Sequence, residues 1–443
     1  MKRLSLTAII IVSTCAGAAA QEMYSLQQCI EIGLERNYSI RIVRNEAQIT
    51  ANNAIPGNAG YLPSLDLSSG FSGSQYDYRY NYTDGTTSTS NGVRSETANV
   101  GLNLDWTLFD GFGIQVSYAR LKELQRMGEL NTRMVIEDFV ADIASEYYNL
   151  IRQHIRLSNL RSAVTLSKER LRIVEERYNI GSMSRLDFQQ AKVDFNADSS
   201  KLLTQFEVVH ASRTRLNELM ALEDIDGNIQ IRDSFIIPNS SLNEIELWDN
   251  TLVHNASLLV SQKNRTLSEL DYRKALSRNY PYLRLNAGYG YTLGWNGTGT
   301  TDLQKRLGFN YGLTLGVSLF DGMNRRREQR NARIQIQNSE LRTQELELSL
   351  KTDLSNLWTA YRNNLELWTL EKENLTAAQE NHAIAIERYK LGELAGIELR
   401  EAQNSLLEAE ERRSIAEYNT KLCEISLMQL SGQILSYFFD FEQ

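Results

Sequence analysis

The chain has 443 residues, of which 47 are Lys or Arg and 55 are Asp or Glu, so its formal charge at pH 7 is −8. This length allows two or three ordinary domains or one long architecture. The acidic balance argues against nucleic acid as a partner.

The first residues have the pattern of a secretory signal peptide. A basic Lys-Arg pair after the initial methionine is followed by an apolar stretch and then by the small residues Ala18, Ala19 and Ala20. A small-residue site after an apolar stretch is typical of signal-peptide cleavage. We therefore predict an exported protein with a signal peptide at residues 1–20.

The cysteines and the mature chain constrain the class further. Cys15 leaves lipidation open as an alternative, although Thr14 before it fits that signal poorly. The mature chain, expected to begin at Gln21, has no apolar run near the ~20 residues that a membrane helix needs. Cys29 and Cys423 are too few for a disulfide framework, and we expect two small buried hydrophobes.

Four segments alternate apolar residues with small or polar ones at period two, which is typical of half-apolar β-strands. The clearest segment runs from Leu307 to Leu319. In the first segment the phase slips near Gln75, and tyrosines alternate after that point. The strands pair into two predicted β-hairpins with polar loops between them, the hairpins at 64–109 and 282–320 and the loops at 83–92 and 294–302.

Long helical patterns follow each predicted β-hairpin. From Met323 to Leu391 there is neither glycine nor proline. Helices of such length are typical of coiled coils and helical tubes. We predict two long helical hairpins, at 112–222 and 322–433. Their apolar seams have near-heptad spacing and contain Ile136, Phe139, Ile143, Tyr147 and Leu150, then Leu350, Leu354, Leu357, Tyr361, Leu365 and Trp368.

The chain is an internal duplication. ERYNIGSMSRLDFQQAK at 176–192 recurs as ERYKLGELAGIELREAQ at 387–403, an offset of 211, and the same offset relates GLNLDWTLFDG to GLTLGVSLFDG. Such an offset is far longer than the period of a solenoid. We predict a first structural repeat at 21–237 and a second at 238–443, each with short helices, a β-hairpin and a long helical hairpin.

Gly181 and Gly392 close the long helical patterns, and a second helical pattern follows each of them. Because glycine accepts the left-handed conformation that ends a helix, both are expected at the turns of the helical hairpins. The recurring Glu-Arg-Tyr-x-x-Gly motif therefore marks the tip of each hairpin.

An exported strand with one apolar and one small or polar face suits a membrane barrel, with lipid outside and water inside. A soluble sandwich with its apolar face in a core remains an alternative at this level. Four strands cannot close a barrel, and open edges are not tolerated in lipid. Three chains would supply twelve strands, an even number within the usual range.

The order, duplication and spacing of these motifs resemble TolC-type outer-membrane efflux proteins over essentially the whole mature chain. The resemblance includes the opening helix SLQQCIEIGLERN, both LFDG corners and both glycine-containing tips. It implies an α+β fold, namely a homotrimer whose twelve-stranded barrel in outer-membrane lipid continues into a periplasmic α-helical coiled-coil tunnel. The implied partners are a periplasmic adaptor protein and an inner-membrane RND or ABC pump.

The resemblance also implies a gate at the tips. Tyr389 matches a family tyrosine that hydrogen-bonds an aspartate of the other tip, and Asp187 matches that aspartate. Alternatively, Asp187 is a carboxylate that favours a helix start, and Tyr389 is a packed aromatic residue. A second polar link of the family is missing, because its positions here are Leu394 and Leu186. An apolar contact is expected to replace it.

Two further sets of residues follow from the resemblance. Glu398 and Glu401 match family positions that form the narrowest ring of the pore, where carboxylates favour cations; a solvated helix face is the alternative. The expected adaptor contacts, among which Arg177 and Arg388 are also expected to cap last-turn carbonyls, are Arg177, Tyr178, Gly181, Ser182, Met183, Arg388, Gly392, Glu393 and Leu394.

No motif in the sequence indicates catalysis or a cofactor. The four histidines are scattered, and neither a phosphate-binding loop nor a dinucleotide fingerprint occurs. We therefore expect no enzyme, no cofactor and no metal. The expected function is a passive outer-membrane exit duct that carries small molecules or drugs in a tripartite export system. A type I protein secretion duct and a soluble exported coiled-coil scaffold are the alternatives.

Overall fold

The computed structural model describes residues 23–297 and 301–439. The predicted signal peptide and Cys15 lie outside the described residues. Within them the chain has an α+β fold that is mostly helical. The described strands and helices, in chain order, are β1 (Met23–Tyr24), α1 (Leu26–Arg36), α2 (Tyr38–Asn53), α3 (Pro56–Ala59), β2 (Ser64–Asn81), β3 (Thr87–Phe109), α4 (Gly113–Asn179), α5 (Arg185–Leu219), β4 (Gln230–Ile231), α6 (Glu244–His254), α7 (Ala256–Ser277), β5 (Tyr282–Asn296), β6 (Leu303–Gly316), α8 (Asn324–Leu391), α9 (Gly396–Leu430) and α10 (Ile434–Phe438).

The chain divides into two compact units. The helical unit comprises the described residues up to Tyr38, Ile136–Asp249, and those from Asp353 onward; the sheet unit comprises Ser39–Val135 and Asn250–Thr352. Each unit contains parts of both predicted repeats, so the units do not coincide with the repeats. The reason is that each long helix, α4 or α8, contributes residues to both units.

The sheet unit holds a four-stranded antiparallel sheet in the order β2-β3-β5-β6. Residues directly opposite each other share a face, and the register places Leu67, Leu102, Tyr289 and Phe309 in one row across all four strands. All four are well exposed. The adjacent row is Asp66, Asn103, Gly288 and Asn310 on the other face. The sheet therefore has one apolar face and one face of small and polar residues.

The first β-hairpin departs from regular pairing where the sequence pattern slips. The register shifts between Tyr76 and Tyr78, because β3 contains an extra residue beside Asp77. Gly92 has φ +68°, and its N–H donates to Asp77 Oδ1 at 2.6 Å. β3 begins at Thr87, so the loop predicted at 83–92 was too long. The strand pairing extends through most of it.

The LFDG corners have the same geometry in both repeats. Gly111 and Gly322 have φ values of +73° and +68°, and the residue after each glycine is also left-handed. Asp110 Oδ1 accepts the N–H of Ile114 at 3.0 Å, and Asp321 Oδ2 accepts that of Arg325 at 3.0 Å. The aspartate of each corner thus satisfies an N–H at the start of the long helix. β6 ends at Gly316, short of the predicted end at residue 320.

The core of the helical unit contains the predicted seam of α4. Phe139, Ile143, Tyr147 and Leu150 are all buried. α1 packs on this seam at Gly33, where a Cβ would lie 2.2 Å from the Phe139 ring. A larger residue than glycine would therefore keep α1 from this close approach.

The cysteines of the described chain are both free thiols. Cys29 is fully buried on α1, and burial raises its pKa to about 12, so it stays protonated. Cys423 is only half-buried. The expectation of a small buried hydrophobe is therefore confirmed for Cys29 and wrong for Cys423. No helix within the described ranges has the length and apolar composition required to cross a membrane.

Candidate functional site

Both hairpin tips are Schellman turns, in which two N–H groups beyond the helix donate to carbonyls of its last turn. In the first tip, Gly181 has φ +78°, and the N–H groups of Gly181 and Ser182 donate to the carbonyls of Tyr178 and Arg177 at 2.9 and 2.8 Å. In the second, Gly392 has φ +81° and the same two bonds measure 3.1 and 2.9 Å, at offset 211. The recurring motif therefore encodes a helix ending.

The second helices of the two hairpins, α5 and α9, also begin alike. Asp187 Oδ2 accepts bonds from the N–H and hydroxyl of Ser184, at 3.3 and 2.6 Å. Glu398, at the equivalent position, accepts the N–H of Ala395 through Oε2 at 3.1 Å. Each carboxylate thus closes the first turn of its helix, where negative charge is favoured. This role explains why an acid recurs at the offset of 211.

Tyr389 lies in the small apolar cluster of the second tip, with Ala385, Leu399 and Ala402. Its side chain is only 3% exposed, and its hydroxyl has no hydrogen-bond partner among the described residues. Burial raises the pKa of this hydroxyl, so it remains a neutral donor. Within the single chain, the predicted bond between Tyr389 and Asp187 is not formed.

Within the described residues, the arginine side chains of the motif do not cap last-turn carbonyls, contrary to the prediction. The guanidinium of Arg177 lies over the ring of Tyr389, 5.6 Å from its centroid, and so connects the first tip to the second. Arg388 approaches Glu393 at 3.9 Å on the surface. Their main-chain carbonyls accept the turn hydrogen bonds instead.

The remaining predicted site residues are placed as follows. Tyr178 stacks on Phe188 across the first tip, with ring centroids 5.4 Å apart. Leu186 is 77% exposed, whereas Leu394 packs against the Tyr389 cluster, so the single chain does not show them as a replacement link. Ser182, Glu393, Glu398 and Glu401 are all exposed in the single chain.

A cleft of about 390 Å³ lies between the two tips of the chain, with Met183, Leu186, Asp187, Tyr389 and Ile397 among its lining residues. The cleft brings together side chains from the ends of α4 and α8 and from the starts of α5 and α9. The predicted gate residues therefore line one cleft, although they do not bond to each other.

Two buried ion pairs beside this cleft were missed by sequence reasoning. Arg170 of α4 pairs with Asp194 of α5. Arg400 of α9 holds Asp198 of α5 through two bonds of 2.6 and 2.8 Å. The second pair joins the two repeats.

A weak signal for these pairs existed in the duplication. The residues 211 positions away from Arg170, Asp194, Asp198 and Arg400 are Asn381, Ser405, Ala409 and Gln189. None of these counterparts is charged. Charged residues that one repeat has and the other lacks are candidates for contacts between the repeats.

The fold and tips define a class of protein that combines a four-stranded sheet with one apolar face and two long helical hairpins. The described residues contain no group of three or more His, Cys, Asp or Glu side chains able to hold a metal ion. Residues 30–222 and 247–433 match the family described as outer membrane efflux protein. The chain belongs to this family.

Individual relatives are distant in sequence. The outer membrane protein TolC of Vibrio cholerae serotype O1 is 20% identical over 352 residues, which cover 77% of this chain and 78% of that protein. The crystal structure of VceC from Vibrio cholerae has a TM-score of 0.75 at 15% identity and covers 92% of this chain and 96% of that one. The Campylobacter jejuni CmeC outer membrane channel has a TM-score of 0.77 at 17% identity, over 92% and 86%.

Membership of this family confirms the predicted function and location. The protein is an outer-membrane exit duct of a tripartite efflux system, with its helical part in the periplasm. The family is one of channels rather than enzymes. The structures of the relatives show the same fold.

Proposed function

We propose that three copies of this chain form one passive duct, in which their sheets join into a shared twelve-stranded barrel. The observation that carries this proposal is the sheet itself. Its apolar face is exposed across all four strands, and β2 and β6 each pair on one side only among the described strands. Lipid would cover the apolar face, and neighbouring copies would pair the free edges.

The proposed cargo is a small molecule or drug, delivered by an inner-membrane RND or ABC pump through a periplasmic adaptor. The duct itself needs no energy source in this scheme, because transport is driven at the inner membrane. The signal peptide at 1–20 and the two repeats, at 21–237 and 238–443, belong to the same proposal. Their support is the sequence pattern and the duplicated tips and corners.

The proposed constriction lies at the tips. Glu398 and Glu401 are both exposed and lie three residues apart on one face of α9, so three chains would bring six carboxylates together. Tyr389 lines the same cleft as Asp187, and its buried hydroxyl has no hydrogen-bond partner among the described residues, so it is free to bond Asp187 if the tips rearrange on assembly. Together these groups would form a cation-selective gate.

Single-channel recording in planar bilayers tests the duct, the ring and the gate. Wild-type protein is expected to pass a small cation-selective current. Glu398→Gln with Glu401→Gln should lose that selectivity, because the carboxylates that attract cations are gone. Asp187→Ala with Tyr389→Phe should raise the current.

Glu408→Gln is the control for the ring variant, because it removes an exposed carboxylate farther along the same helix. If correctly folded wild type passed no current, the duct would be refuted. If Glu408→Gln changed selectivity as much as the ring variant, Glu398 and Glu401 would not form the constriction. An unchanged current in the Asp187 and Tyr389 variant would remove those residues from the gate.

The adaptor is proposed to dock on the tip residues named from the sequence, and the structure adds four apolar side chains to them. Ile180 and Leu391 are 79% and 74% exposed, and Leu186 and Ile397 are 77% and 80% exposed. Each pair is related by the offset of 211. Large aliphatic side chains exposed at matching places in both tips support an interface rather than isolated surface residues.

Leu186→Asp with Ile397→Asp is expected to reduce export about tenfold or more, since apolar anchors at interfaces commonly contribute over 1 kcal/mol each. Export is measured as dye accumulation in cells that depend on this duct. Ile245→Asp, at an equally exposed apolar residue on α6, is the control and should leave export unchanged. Normal export by the tip variant would contradict docking at these side chains, provided that its purified channel conducts as wild type does.

A further inference from the structure

The apolar seam of α8 contains a histidine that the proposed duct does not use. His382 lies at a seam position, seven residues before Tyr389, and is only 8% exposed. Its counterpart in the first repeat, 211 residues earlier, is Leu171. A polar residue at one core position of a seam costs stability and often serves a specific purpose. One row of this seam, at every seventh residue, consists of Leu354, Tyr361, Trp368, Leu375, His382 and Tyr389.

His382 borders a small cavity of about 50 Å³ where α4, α8 and α9 meet. Gln403 of α9 lines the same cavity and is also buried. His382 Nε2 and Gln403 Oε1 both lack a hydrogen-bond partner within the described chain. A cavity of this size with two unpaired polar atoms is suited to an ordered water molecule.

The charges around this cavity are few. α9 contributes Arg400 and Glu410, and α4 contributes no titratable side chain to the lining. Arg400 is already held by Asp198 through two hydrogen bonds. Within the described residues no carboxylate is hydrogen-bonded or paired to the His382 ring, so an imidazolium there would be poorly compensated.

We propose that protonation of His382 loosens the packing of the second helical hairpin in acid. At neutral pH the imidazole is neutral, packs in the seam and shares a water with Gln403. In acid the ring takes up a proton, and the buried imidazolium weakens the packing of α8 against α4 and α9. The periplasm follows external acidity, so the second tip would loosen when the cell is in acid.

The direction of the effect follows from linkage. Burial lowers the pKa of His382 below its ordinary value of 6.5. The packed state is therefore fully favoured above pH 6.5 and loses that advantage as the pH falls below it. One proton per chain shifts the ratio of loosened to packed states by at most about tenfold per pH unit. Glu410 acts in the opposite sense, because burial raises its pKa and its protonation favours the packed state in acid.

The loosening in acid is tested by amide hydrogen exchange of the whole protein in detergent at pH 7.5 and 5.5, after correction for intrinsic exchange rates. Segment 376–392 is expected to lose protection in acid, while the equivalent segment 165–181 of the first repeat does not. His382→Leu, which copies Leu171, should abolish the difference. His154→Gln, at a histidine of α4 that is exposed in the single chain and whose pKa is also lowered by desolvation, should retain it.

Equal protection of segment 376–392 at both pH values in wild type would overturn the proposal, as would an unchanged acid response in His382→Leu. Glu410→Gln should enlarge the acid response. The consequence for transport rests on the proposed function: the single-channel current of wild type, but not of His382→Leu, should rise in acid. Hydrogen exchange does not depend on conduction. A protein that forms no duct and a hairpin that does not loosen in acid therefore give different results.

Discussion

Replacing Arg400 with leucine is expected to cost about 3–5 kcal/mol of stability, the usual effect of removing one partner of a buried ion pair. The variant leaves the Asp198 carboxylate, which is 2% exposed, without its two bonds from the guanidinium. Arg400 itself is only 15% exposed, so solvent screens the pair weakly. The midpoint of urea unfolding in detergent, followed by tryptophan fluorescence, measures the loss.

The chain offers a matched control for this variant. Arg156→Leu breaks a pair with Glu411 in which both side chains are well exposed, at 49% and 42%, and its cost should stay within about 1 kcal/mol. Adding Asp198→Leu to Arg400→Leu should recover most of the stability, because no unpaired charge remains. An equal loss from the Arg400 and Arg156 variants would show that burial does not make the pair of Asp198 and Arg400 the stronger one.

Glu424→Leu is expected to have an effect of similar size, again about 3–5 kcal/mol. Glu424 is fully buried and accepts bonds from Lys421 Nζ at 2.5 Å, from the N–H of Asn239 at 2.8 Å and from the hydroxyl of Tyr437. Burial is the main cause of the raised pKa of Tyr437, and the hydrogen bond to Glu424 is the second cause. The hydroxyl of Tyr437 therefore stays protonated and remains a donor. The substitution leaves the N–H of Asn239 and the hydroxyl of Tyr437 without this acceptor, and it leaves the buried Lys421 with only the Tyr437 hydroxyl.

The location of these donors predicts which segments loosen. Asn239 belongs to the link between the repeats, and Tyr437 belongs to α10, so both should become sensitive to limited proteolysis in Glu424→Leu. Glu411→Leu is the control, because Glu411 pairs with Arg156 on the surface, with side chains 42% and 49% exposed. Unchanged proteolysis of the link and of α10 would refute the role assigned to Glu424.

Much of the fold could be predicted because its signals are local. Period-two alternation located the strands, and the phase slip at Gln75 corresponds to the observed register shift. Glycine at the end of an apolar seam located both tips, where the Schellman bonds were then found. These features depend on backbone geometry within a few residues, which the sequence alone determines.

The site was predicted less completely, because its decisive contacts join distant residues. Asp198 and Arg400 are separated by 202 positions. In the sequence each reads as an ordinary charge on a helix face. The same limit applies to Tyr389. The recurring motif identified this residue, but the burial of its hydroxyl, which has no hydrogen-bond partner among the described residues, depends on how α8 and α9 pack.

The sequence by itself therefore determined the duplication, the strand and helix types, the turns and the family, since each follows from periodicity, glycine conformation and motif order. Only the tertiary structure decided which charges pair, which carboxylates close helix starts and which polar atoms lack partners. The physical reason is that burial removes water from a polar group, and the structure alone shows which groups have lost it and what replaces it.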